Sequence, residues 1–181
     1  MNPAEALELL ERAETVCTAA DARAAVERLA AEITPRLGAE FPMVLAIMGG
    51  AVVFAGQLLP LLAFPLEVRA IEVTRYAGTT AGGDIEWRLA PREEVRGRTV
   101  LVLDDILDEG VTLAAVRAKL LAMGAARVLT AVFADKDTGR AKPIAADFVG
   151  VRVPDRYVFG FGMDAFGLWR NLPAVYALGG Q

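Results

Sequence analysis

Between Thr99 and Leu113 an apolar run, Thr99-Val100-Leu101-Val102-Leu103, gives way to the paired acids Asp104 and Asp105. A third acid and a glycine follow (Asp108-Glu109-Gly110), and Thr112 then opens a stretch with helical spacing. A run that is apolar at successive positions reads as a strand covered on both faces, the usual state of strands in parallel sheets. Met43–Met48 and Val128–Ala134 are runs of the same kind. The predicted helix from Thr112 to Met123 carries Val111, Leu113, Val116, Leu120 and Leu121 on its apolar face, with Gly124 just past its end. Strand, helix and strand in this order predict an α/β fold with a doubly wound, mostly parallel sheet flanked by helices.

The remaining elements fit that scheme. Residues 4–16 and about 21–37 have helical spacing, with Leu7, Leu10, Val26, Leu29, Ile33 and Leu37 as apolar stripes and Asp21 as the expected N-cap of the second helix. Leu66–Val73 and Ile85–Leu89 read as strands. Tyr76–Asp84, with three glycines and two threonines, reads as a mobile loop between them. Phe41–Leu66 has no charged residue and is long enough to span a bilayer. Pro42, Gly49, Gly50, Gly56, Pro60 and Pro65 break it. The expectation is therefore a buried strand, a glycine turn and a buried helix.

Composition narrows the chemistry. The 181 residues, 55% hydrophobic, suit a single domain over 1–181. A net charge of -4 argues against a nucleic-acid binder. The chain has no histidine and only Cys17, which excludes Ser-His and Cys-His catalysis, His-ligated metals and thiolate cages. Any metal must then rest on oxygen ligands, which favours Mg2+ or Mn2+. The acidic, amphipathic N-terminus lacks a signal-peptide pattern, so a cytoplasmic location is expected, with no membrane partner.

In open α/β sheets ligands bind at the carboxyl ends of the strands. A helix N-terminus suits phosphate, and a glycine lets the backbone approach an anion closely. The Thr112 hydroxyl can cap the helix or bond the phosphate. The acids can hold ribose hydroxyls and water-bridged Mg2+. The segment thus suits a phosphorylated sugar with a metal, although three surface acids that merely solvate a loop would leave the same pattern. A receiver domain fits the acids but not the helix start. The phosphate-loop and dinucleotide glycine motifs are absent.

The segment resembles the motif of type I phosphoribosyltransferases that binds phosphoribosyl pyrophosphate (PRPP): apolar strand, two acids, two apolar residues, then Asp-x-Gly-x-Thr. From about Val44 to Leu178 the chain is similar to the hypoxanthine-guanine branch of that family. The resemblance implies a purine-salvage enzyme that moves the phosphoribosyl group of PRPP onto a 6-oxopurine with Mg2+. It implies Asp104 and Asp105 at the ribose hydroxyls and the Mg2+ water shell, Asp108 as general acid/base at purine N7, and Asp108, Glu109, Gly110, Val111 and Thr112 around the 5'-phosphate. Met48-Gly49-Gly50 resembles the pyrophosphate loop, with a cis peptide expected at Ile47–Met48. Arg75 and Tyr76 resemble the start of a lid. Lys136 matches the lysine that bonds the 6-oxo group. In the run Val153–Asp164, Tyr157 would stack on the base, the Val158 backbone would read its edge and Asp164 would bind a second Mg2+. Arg170 would bind pyrophosphate. Residues 136–181 would supply most of a small hood formed from the chain ends. A homodimer or homotetramer is also implied.

Three positions depart from the family pattern. Glu109 stands where Thr or Ser is common, so its side chain is expected to point outward, away from the phosphate. Met48 replaces a usual Lys or Arg. Arg75 replaces a small hydroxyl residue and offers a replacement charge. A xanthine-preferring enzyme and a non-catalytic regulator that binds PRPP or nucleotide are the alternatives weighed against this reading.

Overall fold

The computed structural model describes residues 2–75 and 85–179. Its main sheet holds six strands: β2 (Met43–Met48), β3 (Glu67–Arg75), β4 (Ile85–Leu89), β5 (Thr99–Leu107), β6 (Arg127–Asp137) and β7 (Phe148–Pro154). Their order is β4-β3-β2-β5-β6-β7, parallel throughout except for β4, which pairs antiparallel with β3 at one edge. The mostly parallel, doubly wound sheet expected from the apolar runs is therefore present.

Alternation along β5 explains the two covered faces. Leu101 and Leu103 point into a core shared with α2 (Ala19–Leu37) and α3 (Val52–Leu58). Val100 and Val102 point into the opposite core, under α4 (Val111–Ala122). Phe41–Leu66 contains β2, the glycine turn, α3 and a 3-10 turn at Leu59–Leu61. Among the described residues no helix is long and apolar enough to cross a membrane.

A second sheet of three short strands, β1 (Glu14–Cys17), β9 (Val175–Ala177) and β8 (Val158–Phe159), joins the two ends of the chain. This is the expected hood, but it corrects the reading of residues 4–16 as one helix. Helix α1 spans only Pro3–Glu11. Glu14–Cys17 instead pairs with β9, and its β-branched Thr15 and Val16 suit a strand. Asp21 is not the N-cap of α2 either. Thr18 is, with extended backbone and a hydroxyl that accepts the Asp21 N–H at 3.2 Å.

Candidate active site

Strand β5 does not stop at Leu103. Asp104, Ile106 and Leu107 stay in register with Val132, Ala134 and Asp135 of β6. The two acids therefore stand on the last part of a strand, held by its ladder. Beyond it, Gly110 takes a left-handed conformation (φ 80°) and starts α4. This corrects the expectation that Thr112 opens the helix. Thr112 is its second residue, and no side-chain cap closes the helix start. A side chain at Gly110 would be strained by the backbone alone.

The end of β5, this loop, the turn after β2 and the segment Asp164–Arg170 enclose a cleft of about 310 Å³. Met48, Gly49, Gly50, Asp104, Asp105, Asp108, Glu109, Gly110, Val111, Thr112, Asp164 and Arg170 all line it. The cleft lies at the carboxyl edge of the parallel strands, where α/β sheets place ligands. Glu109 is exposed at the cleft. The cis peptide lies at Met48–Gly49, one bond later than expected. Glycine, lacking Cβ, is the less crowded partner for it.

Two of the acids in the cleft stand side by side on β5. Asp104 is 9% exposed, and its Oδ1 accepts the Asp105 N–H at 3.0 Å. Burial, and then the charge of Asp105 beside it, hold the Asp104 carboxyl well above the usual carboxylate range. Burial also raises Asp105. The Asp104 side chain, the Ile106 N–H bonded at 2.8 Å and the Arg170 guanidinium at 3.8 Å work in the opposite direction. Arg170 spans the cleft wall. It donates to the Gly162 carbonyl at 2.7 Å and pairs with Asp164 at 2.7 Å. Its guanidinium thus faces two of the three acids that the family resemblance gives to metal, Asp105 and Asp164.

Gly50 packs directly on Asp105. A Cβ there would run into the Asp105 carboxylate. We expect Gly50→Ala to displace either the turn or the acid and to destabilise the protein by about 1–3 kcal/mol, the range for overpacking. Chemical denaturation of the variant against wild type measures this, and an unchanged midpoint would show that the turn yields freely.

Lys136, at the end of β6 and 12% exposed, donates to Asp108 Oδ2 at 2.6 Å. The structure thus joins two of the residues expected to touch the base, although Lys136 itself does not line the cleft. Tyr157 and Val158 do not line it either. Val158 is buried in β8, paired with β9. The Tyr157 ring is 47% exposed and lies near-parallel to Phe166, with centroids 5.9 Å apart. Its hydroxyl donates to the Asp164 carbonyl at 3.2 Å. Arg75 ends β3, opposite Ile85. Tyr76 and the loop to Asp84 lie outside the described residues.

Sequence reasoning missed Lys142. Its Nζ donates to the carbonyls of Leu107 (2.7 Å) and Lys136 (2.6 Å) and to Asp135 (2.6 Å). Nothing in the spacing of Lys142 signals bonds to carbonyls on two separate strands. Phe166 was missed too, as a lone aromatic in a loop.

Residues 17–165 match the model of the phosphoribosyl transferase domain. The chain is similar to the hypoxanthine-guanine phosphoribosyltransferase of Bacillus subtilis, 32% identical over 154 residues that cover 84% of this chain and 86% of the relative. It is likewise similar to the hypoxanthine-guanine-xanthine phosphoribosyltransferase of Tritrichomonas foetus, 33% identical over 156 residues, 86% and 85% of the two chains. A solved structure of a hypoxanthine phosphoribosyltransferase from Staphylococcus aureus superposes with a TM-score of 0.85 at 25% identity, over 99% of this chain and 98% of that one.

Proposed function

The chain belongs to the phosphoribosyl transferase domain family, and on that footing we propose that it salvages purines by moving the phosphoribosyl group of PRPP onto hypoxanthine or guanine, giving IMP or GMP and pyrophosphate. One observation carries the reading. Paired acids, a glycine-started helix N-terminus and an arginine share one cleft, and a lysine is bonded to the acid at its rim. Each part answers a part of the substrates. The α4 N-terminus suits the 5'-phosphate. Asp104 and Asp105 suit the ribose hydroxyls. Arg170 and the Met48–Gly50 turn suit pyrophosphate. Lys136 suits a 6-oxo group, and the exposed Tyr157 ring offers a surface for the base.

Mg2+ fits the donors present. The acids facing the cleft offer only oxygen donors. Mg2+ commonly keeps its waters and takes one or two carboxylates together with substrate phosphates. Asp104 and Asp105 would hold one Mg2+ through its waters and Asp164 a second, and the ions would offset charge on the departing pyrophosphate.

In the reaction, the C1–oxygen bond to pyrophosphate breaks with its electron pair leaving on pyrophosphate. Purine N9 forms the new bond to C1, and the proton on N7 passes to the Asp108 carboxylate. Arg170 faces the growing charge of the leaving group. No covalent enzyme intermediate is needed. Assembly as a homodimer or homotetramer is part of the proposal, and Val52 of α3 and Leu61 of the 3-10 turn after it stand exposed.

Lys136 tests the assignment of the base. Lys136→Ala is expected to raise the KM for hypoxanthine about 10- to 100-fold, the worth of a hydrogen bond to a charged group. The KM for PRPP should change little. Steady-state kinetics with each substrate varied in turn measures both. Equal rises would make Lys136 a structural lysine.

A further inference from the structure

Lys142 is 14% exposed, and its ammonium is held from three directions. An ammonium has three N–H donors and no acceptor. Here three acceptors stand at 2.6–2.7 Å: the carbonyl of Leu107, the carbonyl of Lys136 and the carboxylate of Asp135. Asp135 supplies the opposite charge that a largely buried ammonium requires.

The two carbonyls are what make this more than a buried ion pair. Leu107 is the last residue of β5, and its carbonyl belongs to the peptide that leads into Asp108. Lys136 lies near the end of β6, and its own backbone is the second anchor. Leu107 and Asp135 are register partners across the two strands. Beyond Leu107 the ladder between β5 and β6 ends, yet Asp108 and Lys136 must still meet at 2.6 Å. Lys142 bridges the gap just where the ladder gives out.

We propose that Lys142 is a positioning residue: by tying the Leu107 and Lys136 carbonyls together it sets the distance between the proton-accepting carboxylate of Asp108 and the base-reading ammonium of Lys136. The inference rests on the roles proposed above for those two residues. It assigns Lys142 no contact with substrate. Its three bonds go to none of Asp104, Asp105, Gly50 or Arg170, so its effect should fall on the base side of the cleft more than on the ribose and pyrophosphate contacts.

A double-mutant cycle tests this. Lys142→Met keeps the length of the side chain and removes its donors. It is expected to lower kcat about 10- to 100-fold, the size of loss that a small misplacement of reacting groups produces. The hypoxanthine KM should rise, while the PRPP KM stays within about 2-fold of wild type, because coupling of residues is local. If Lys142 acts through Lys136, adding Lys142→Met to Lys136→Ala should lower kcat by less than about 3-fold further, since residues in one network are not additive. A full loss repeated in the Lys136→Ala background, or equal rises in both KM values, would overturn the proposal. If Lys142→Met does not accumulate as folded protein, Asp135→Asn takes its place in the cycle. That variant keeps an acceptor but removes the counter-charge, and the same pattern is expected at smaller amplitude. Wild-type protein inactive with every purine would overturn the reading of the site and this inference with it. Active wild type with an additive cycle would overturn this inference alone.

Discussion

Asp108→Asn is expected to lower kcat about 10²- to 10⁴-fold, the usual worth of a general acid/base. The amide keeps the size of the side chain and an oxygen acceptor for Lys136, so the 2.6 Å contact between the two has a substitute. It cannot take up the N7 proton. PRPP affinity should therefore be largely kept, and the loss should fall on kcat. Pre-steady-state turnover together with PRPP binding by calorimetry separates the two. Near-wild-type turnover would remove Asp108 from the role, and a matched loss of PRPP affinity would make it a phosphate-site residue instead.

The second large effect concerns Asp104 and runs in opposite directions for stability and activity. Burial and the neighbouring Asp105 charge raise its folded pKa. At about pH 4 and above, the ordinary aspartate range, the unfolded chain gives up this proton while the folded chain still holds it. The unfolded state then binds fewer protons than the native state, so this group subtracts from stability as pH rises, until the raised folded value is passed. The amide introduced by Asp104→Asn has no such proton to lose. The melting temperature of that variant should accordingly match wild type near about pH 4 and exceed it increasingly toward about pH 7. Each kcal/mol gained should appear as roughly 2–4 °C in a chain of this size. The same variant should raise the KM for PRPP about 10- to 100-fold, since the acid proposed to hold the ribose hydroxyls is gone. Thermal melts across this pH range check the first half. A variant less stable than wild type at neutral pH would mean that Asp104 makes a stabilising contact as an ion.

Most of the sheet could be read from the sequence because its strands are apolar on both faces, and burial in a parallel sheet leaves that mark at every position. The cleft followed from the order of acids, glycine and helix start, which are local features. What could not be read depends on contacts between distant segments. Glu14–Cys17 is a strand only because β9 lies beside it. Strand β5 continues through Asp104 and Asp105 because β6 pairs with it there. The acids mark where polarity begins, which is earlier than where the ladder ends. The helix starts at Val111 rather than Thr112 because a left-handed Gly110, rather than a side-chain cap, ends the loop. Lys142 was invisible because two of its three partners are backbone carbonyls, which every sequence possesses.

The most direct test of the account is turnover by the wild-type protein with PRPP and Mg2+ against hypoxanthine, guanine, xanthine and adenine in parallel. The expected result is equimolar nucleotide and pyrophosphate from hypoxanthine or guanine, arrested by EDTA, with adenine inert because its 6-amino group gives Lys136 no oxygen to bond. Absence of turnover with every base, in protein that still binds PRPP or nucleotide, would contradict the account and leave a binding protein built on a transferase fold.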